Sequence, residues 1–159
     1  MPDQEEQISD CLTCQALQDK IRLTDAPPLL ETGLWKVEHA YPTSVRGWLV
    51  LVPKRHCEAV HELTGPELAE FGKLLGACSQ ALQAVLGARK ESLMQFSEQA
   101  GFHHVHFHLV ARLPDWPQSL TGAQVLSALG EKVKNPLPQE EVIPLAVELR
   151  EWLAERWEA

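Results

Sequence analysis

No stretch of this 159-residue chain is apolar over the roughly 20 residues that a bilayer-spanning helix needs. Nor does it open like a secretory leader, because Met1-Pro2-Asp3-Gln4-Glu5-Glu6 is acidic. Basic residues are in deficit, 14 against 22 acidic ones, which gives a net charge of −8. That sign argues against broad binding to nucleic acid or to anionic membranes. It leaves room for an anionic small molecule, since a local site can be positive on an acidic protein. Internal repeats and linkers are absent, so 1–159 reads as a single domain, long enough to bury a sizeable core. With 45% apolar and 23% charged residues, the composition is that of a globular protein and not of a disordered or fibrous one. Cysteine is sparse as well. A cytoplasmic location is expected, and there four cysteines serve as thiols or metal ligands more readily than as disulfides.

What is present begins after a polar stretch, residues 1–10, read as a frayed tail. Cys11-Leu12-Thr13-Cys14 is a C-x-x-C pair with three readings: half a zinc site, a redox dithiol, or coincidence. A short helix and a loop should follow up to the Pro27-Pro28 stop. Leu34–Ala40 alternates in polarity and is expected to be an edge strand, whereas the near-continuous apolar run Arg46–Val52 fits a strand buried on both faces. Pro53-Lys54-Arg55-His56 then places a basic cluster and one histidine just beyond it. Thr64 and Glu67 have the spacing of a capping box, with Leu63 and Leu68 as a hydrophobic staple. The apolar positions from Leu68 through Phe71, Leu74, Leu75, Cys78, Leu82 and Val85 predict a helix to about Leu86, ended by Gly87. Cys78 in that stripe reads as a buried small hydrophobe. Ser92–Glu98 is a further strand candidate. Leu113-Pro114-Asp115-Trp116-Pro117 must be a loop, followed by a short helix at Gly122–Leu129. A final amphipathic helix runs from Glu140 to Trp157, within 139–158, with Ile143, Val147, Leu149 or Arg150, Leu153 and Trp157 inward.

The most informative stretch is Gly101-Phe102-His103-His104-Val105-His106-Phe107-His108-Leu109-Val110, which holds four of the seven histidines. His104, His106 and His108 alternate with Val105, Phe107 and Leu109, the period of a β-strand. Three imidazoles therefore line one face at a spacing of about 6.6 Å while the apolar side chains enter a core. One histidine so placed is commonly structural, but three on one face each need polar partners. Two functional readings stay open from the residues alone: a catalytic metal site, or a histidine nucleophile whose neighbours handle charge.

The pattern His104-Val105-His106-Phe107-His108-Leu109-Val110 resembles that of the histidine triad superfamily of nucleotide hydrolases and transferases. The order also matches: C-x-x-C, a strand ending Gly-Trp-Leu-Val-Leu-Val-Pro-Lys-Arg-His, a long helix, then the triad, from Cys11 to about Pro117. The resemblance implies an α+β fold, an antiparallel sheet of about five strands flanked by helices, that usually forms a homodimer. It implies that His106 attacks the α-phosphorus of a nucleotide to give a nucleotidyl-histidine, which water or another acceptor resolves, while His108 donates to the phosphate oxygens. It also implies one structural zinc ion held by Cys11, Cys14, His56 and His104.

Departures from the familiar pattern are equally legible. An asparagine and a Gly-Gln-Ser type segment usually precede the triad, whereas this chain has Gln95, Ser97 and then Gln99-Ala100-Gly101-Phe102-His103. Gln95 and Ser97 are read as phosphate or ribose contacts, and Trp116 as a residue able to close over a base or leaving group. His103 points away from the triad. Ala111 stands where a proline is usual, before Arg112. The expected activity is hydrolysis of a dinucleoside polyphosphate or a nucleoside phosphoramidate. The alternatives are a nucleotidyltransferase or phosphorylase using the same covalent step, and a zinc-stabilised nucleotide-binding module without turnover.

Overall fold

The alternating segments form one five-stranded antiparallel sheet flanked by helices, an α+β architecture, in the computed structural model, which describes residues 8–157. The strands are β1 (Leu30–Glu31), β2 (Trp35–His39), β3 (Trp48–Pro53), β4 (Lys90–Met94) and β5 (Phe107–Arg112), in the order β1-β2-β3-β5-β4. β2 is not the edge expected of it, because the two-residue β1 covers its outer side through Leu30–Val37 and Glu31–Lys36 pairing. So short a strand carries no periodicity to read. Of the expected tail, Met1–Gln7 lie outside the described residues, and Ile8–Asp10 are helical. The short helix after the C-x-x-C starts inside it, as α1 (Leu12–Leu17).

One sheet face receives Trp35, Val37, Leu49, Leu51, Phe107, Leu109 and Ala111, and it packs on α2 (Gly65–Leu86) and α3 (Gln139–Ala154). Phe71 bridges two of these residues, its ring 4.3 Å from Phe107 and 5.2 Å from Trp35 between centroids. Val105, Phe107 and Leu109 are all in this core, as the alternation requires. The opposite face carries the smaller cluster of Trp48, Val110, Val125 and Ala128, and the histidine row lies on that side. Two inward assignments fail. Val147 is 39% exposed because Val142, Leu145, Ala146, Leu149 and Leu153 form the buried stripe of α3. Leu68 is 45% exposed, so it does not enter the core with the rest of the α2 stripe.

The capping box does form. The Thr64 hydroxyl accepts the Glu67 backbone N–H, and the Glu67 carboxylate accepts the Thr64 N–H at 2.7 Å. Gly87 ends α2 in the left-handed region at φ +69°, which a glycine occupies without strain. Glu67 is buried and also takes Arg55 in a two-pronged contact at 3.0 and 2.8 Å. The cap thereby ties the segment after β3, which carries His56, to the helix start. Arg55, and then the Thr64 hydrogen bonds, hold the Glu67 carboxyl down at about 2 against desolvation.

Two outcomes follow. Thr64→Ala should lower the urea-unfolding free energy by about 1 kcal/mol without changing its denaturant slope. The depressed Glu67 pKa means its contribution is complete above about 4.5 and is lost as pH falls towards 2. Acid titration of stability should therefore steepen in that window, and Glu67→Gln should remove the steepening.

Candidate active site

The regular ladder of β5 starts only at Phe107, so His104, at a bend, and His106 sit just before it. Individual bonds hold that segment. The Val105 N–H donates to the Cys57 carbonyl at 2.8 Å, and the His106 N–H donates to Ser97 Oγ at 3.2 Å. Upstream, Gly101 has φ +81° and lies so close to Leu12 that a Cβ there would meet its Cδ1 at 2.9 Å. Only glycine meets both constraints, and the Leu12 N–H donates to the Gly101 carbonyl at 2.9 Å. The N-terminal C-x-x-C is docked beside the histidines by this contact.

The partners of each imidazole assign its tautomer. His106 Nδ1 lies 2.8 Å from the His104 carbonyl oxygen, which only accepts, so Nδ1 carries the proton. Its Nε2 lone pair is left bare. Burial holds the ring's pKa below the ordinary histidine value, so His106 is neutral and nucleophilic at pH 7. His108 has the opposite arrangement. The Trp48 indole N–H donates to His108 Nδ1 at 3.0 Å, so the proton sits on Nε2, which becomes a donor. Burial first, and His106 second, push its pKa down to about 4. The two rings meet edge to face at 4.9 Å between centroids. A bare nitrogen and an N–H therefore stand side by side where the chain enters β5, a pairing suited to attack on an electrophile and to binding the oxygens around it.

Ser97 and Gln95 do come to this site. Ser97 Oγ is 3.3 Å from His106 Nδ1 and accepts the Gln95 side-chain N–H at 2.8 Å. Ser97 is not part of the expected strand. β4 stops at Met94, and Ser97 has φ +55°, a costly left-handed conformation for a residue with a side chain. Trp116 lies under the Arg112 guanidinium at 4.1 Å, with its indole N–H donated to the Leu120 carbonyl. His103 is exposed. Three relevant residues went unnoticed in the sequence: Trp48, Lys36 and Glu38. Glu38, Val50, His108 and Met94 form one row across the sheet by register. Lys36 and Glu38, paired at 2.9 Å, thus share the histidine face about 10 Å away, two strand spacings. They line a cavity of about 470 Å³ together with Ala16, Ile21 and Pro27. Alternation within β2 was the available signal.

Four further side chains converge beside the site. The ligand atoms of Cys11, Cys14, His56 and His104 lie within 4.8 Å of one another. Cys14 Sγ is 3.2 Å from His56 Nδ1 and 3.4 Å from His104 Nδ1, and Cys11 Sγ is 4.0 Å from His104 Nδ1. A tetrahedral zinc shell has ligand–ligand separations of roughly 3.3–3.8 Å. His104 Nε2 donates to the Pro53 carbonyl at 2.8 Å, which turns the Nδ1 lone pair into the cluster. Burial pushes the Cys14 thiol up to about 12, with Cys11 adding to it, so ionising it takes a cation in the cluster. The set is a Cys₂His₂ cluster able to hold a metal ion. All four cysteines are free thiols.

No family model matches the chain. It is 22% identical over 137 residues to an adenosine 5′-monophosphoramidase of Schizosaccharomyces pombe, covering 80% of this chain and 98% of that protein. Among solved structures, it superposes on a histidine triad nucleotide-binding protein from Sulfolobus tokodaii with a TM-score of 0.69. The identity is 19%, over 91% of this chain and 93% of that one. A zinc-bound histidine triad family protein from Mycobacterium smegmatis matches at 0.62, with 19% identity over 93% and 96%.

The opposed tautomers are open to measurement. In side-chain ¹⁵N spectra at pH 7, His106 should appear as the Nδ1–H form and His108 as the Nε2–H form. Trp48→Phe removes the indole donor and should mix the His108 tautomers while leaving His106 unchanged. On acidification both rings should gain a proton only below the ordinary histidine value, His108 near 4.

Proposed function

We propose that this chain, which has the histidine triad fold, hydrolyses a nucleotide with a substituted phosphate through a covalent nucleotidyl-histidine on His106. The observation that carries this is the pair of opposed tautomers at His106 and His108. His106 Nε2 attacks the α-phosphorus, a nitrogen–phosphorus bond forms, and the bond from phosphorus to the leaving oxygen or nitrogen breaks. Water then attacks the same phosphorus, the nitrogen–phosphorus bond breaks, and a nucleoside monophosphate leaves. The His108 Nε2–H donates to the phosphate oxygens as charge builds on them. The His104 carbonyl holds the His106 proton on Nδ1 through both steps. Gln95 and Ser97 bind phosphate or ribose, and the cavity bordered by Lys36 and Glu38 takes the nucleoside. Trp116 is assigned to closing over the base or leaving group.

Dinucleoside polyphosphates and nucleoside phosphoramidates are the leading substrates, the second class supported by the Schizosaccharomyces pombe relative. One zinc ion per chain, on Cys11, Cys14, His56 and His104, supplies a structural tie and not the reacting centre. A closed four-ligand set and the zinc-bound Mycobacterium smegmatis structure support that role. A homodimer is supported by the free outer edge of β4, where Leu93 and Phe96 are each 47% exposed. Free cysteines fit a cytoplasmic setting. Among the described residues no helix is long and apolar enough to cross a membrane.

Intact-mass analysis after brief incubation with adenine and guanine dinucleotides and an adenosine phosphoramidate, quenched in alkali, tests the chemistry. Wild type should gain one nucleotidyl mass and His106→Ala none, with its stability intact. An adduct surviving in His106→Ala would overturn the assignment. Turnover that requires inorganic phosphate would identify a phosphorylase, and tight binding without product would identify a binding module. Cys11→Ser should lose zinc and melt lower than wild type. Equal zinc content and melting temperature would refute the metal assignment.

A further inference from the structure

The two histidines of the Cys₂His₂ cluster differ on their far sides. His104 has an acceptor there, the Pro53 carbonyl at 2.8 Å. His56 turns Nδ1 to Cys14 Sγ, so its Nε2 points away from the cluster. That Nε2 is fully buried and has no hydrogen-bond partner among the described residues. A buried ring nitrogen without a partner is rare, because desolvation is not recovered. One acceptor stands close by: Glu58 Oε1, at 3.6 Å, just beyond hydrogen-bond length.

Glu58 is free to close that gap. Its side chain is half exposed, and its own backbone N–H reaches the Glu62 carboxylate at 3.4 Å, so the backbone is held while the side chain is not. An ion on Nδ1 forces the ring proton onto Nε2, which then needs an acceptor. We infer that Glu58 is the outer carboxylate of the metal cluster, accepting the His56 Nε2–H and holding that ring with Nδ1 towards the ion. The inference rests on the zinc assignment above. Glu58 is a positioning residue: it fixes the tautomer and orientation of His56 and strengthens Nδ1 as a donor. Metal ligands supported in this way lose affinity by about 10–100-fold when the outer partner is removed.

The test is Zn²⁺ affinity by chelator competition on the full chain, for wild type, Glu58→Gln and Glu58→Ala, with thermal melts of the metal-stripped proteins alongside. Glu58→Ala should weaken zinc by about 10–100-fold. Glu58→Gln, whose amide oxygen still accepts, should lose much less. The three stripped proteins should melt together, since the contact forms only with the ion. Equal affinity in wild type and Glu58→Ala would overturn the inference while leaving the zinc assignment standing. So would a stripped Glu58→Ala that melts lower by the full deficit of its zinc-loaded form, which marks a fold-wide role. Wild type that binds zinc no better than Cys11→Ser would remove the metal assignment and this inference with it.

Discussion

In the proposed mechanism, the hydrogen bond from His106 Nδ1–H to the His104 carbonyl is the contact on which attack depends. A neutral imidazole carries one proton on either of two nitrogens, and only one placement leaves Nε2 able to attack. A backbone carbonyl is an unambiguous partner because it cannot donate. The same residue serves the cluster through its side chain: His104 Nε2 binds the Pro53 carbonyl and Nδ1 faces the thiols. His104 is therefore shared, with its ring in one site and its main chain in the other. Anything that turns the His104 peptide alters the protonation of the next imidazole in the row.

Identical side chains two residues apart acquire different roles here from their partners alone. His104 meets a carbonyl and two thiols, His106 a carbonyl and a hydroxyl, and His108 an indole. Burial lowers the basicity of all three, so in this acidic protein the row is uncharged near pH 7. Neutrality suits the proposed attack, which brings a lone pair up to phosphorus and which a proton on His106 would abolish.

Much of this was legible wherever it depended on neighbours in sequence. The alternation from His104 to Leu109 correctly divided ring from core, and Thr64 with Glu67 announced the start of α2. What escaped depends on distance. Trp48 precedes its partner His108 by 60 residues, and nothing local marks its indole as a tautomer lock. β1 is two residues long and exists because β2 offers it a ladder. Val147 has the right spacing on a helical wheel but the wrong side of the stripe that Leu145 and Leu149 present to the core. The segment of Ser97 reads as extended because its φ is set by bonds to Gln95 and His106, not by its own preference.

The packing of Leu12 against Gly101 joins the start of the described chain to a loop about two-thirds of the way along. During synthesis Cys11 and Cys14 emerge well before His104, which follows 93 positions after Cys11. The cluster cannot close until most of the sheet has been made. It is therefore a late latch on a fold whose strands are mostly made, not a seed from which folding spreads, and the two thiols must wait, reduced and unpaired, until His104 has been added.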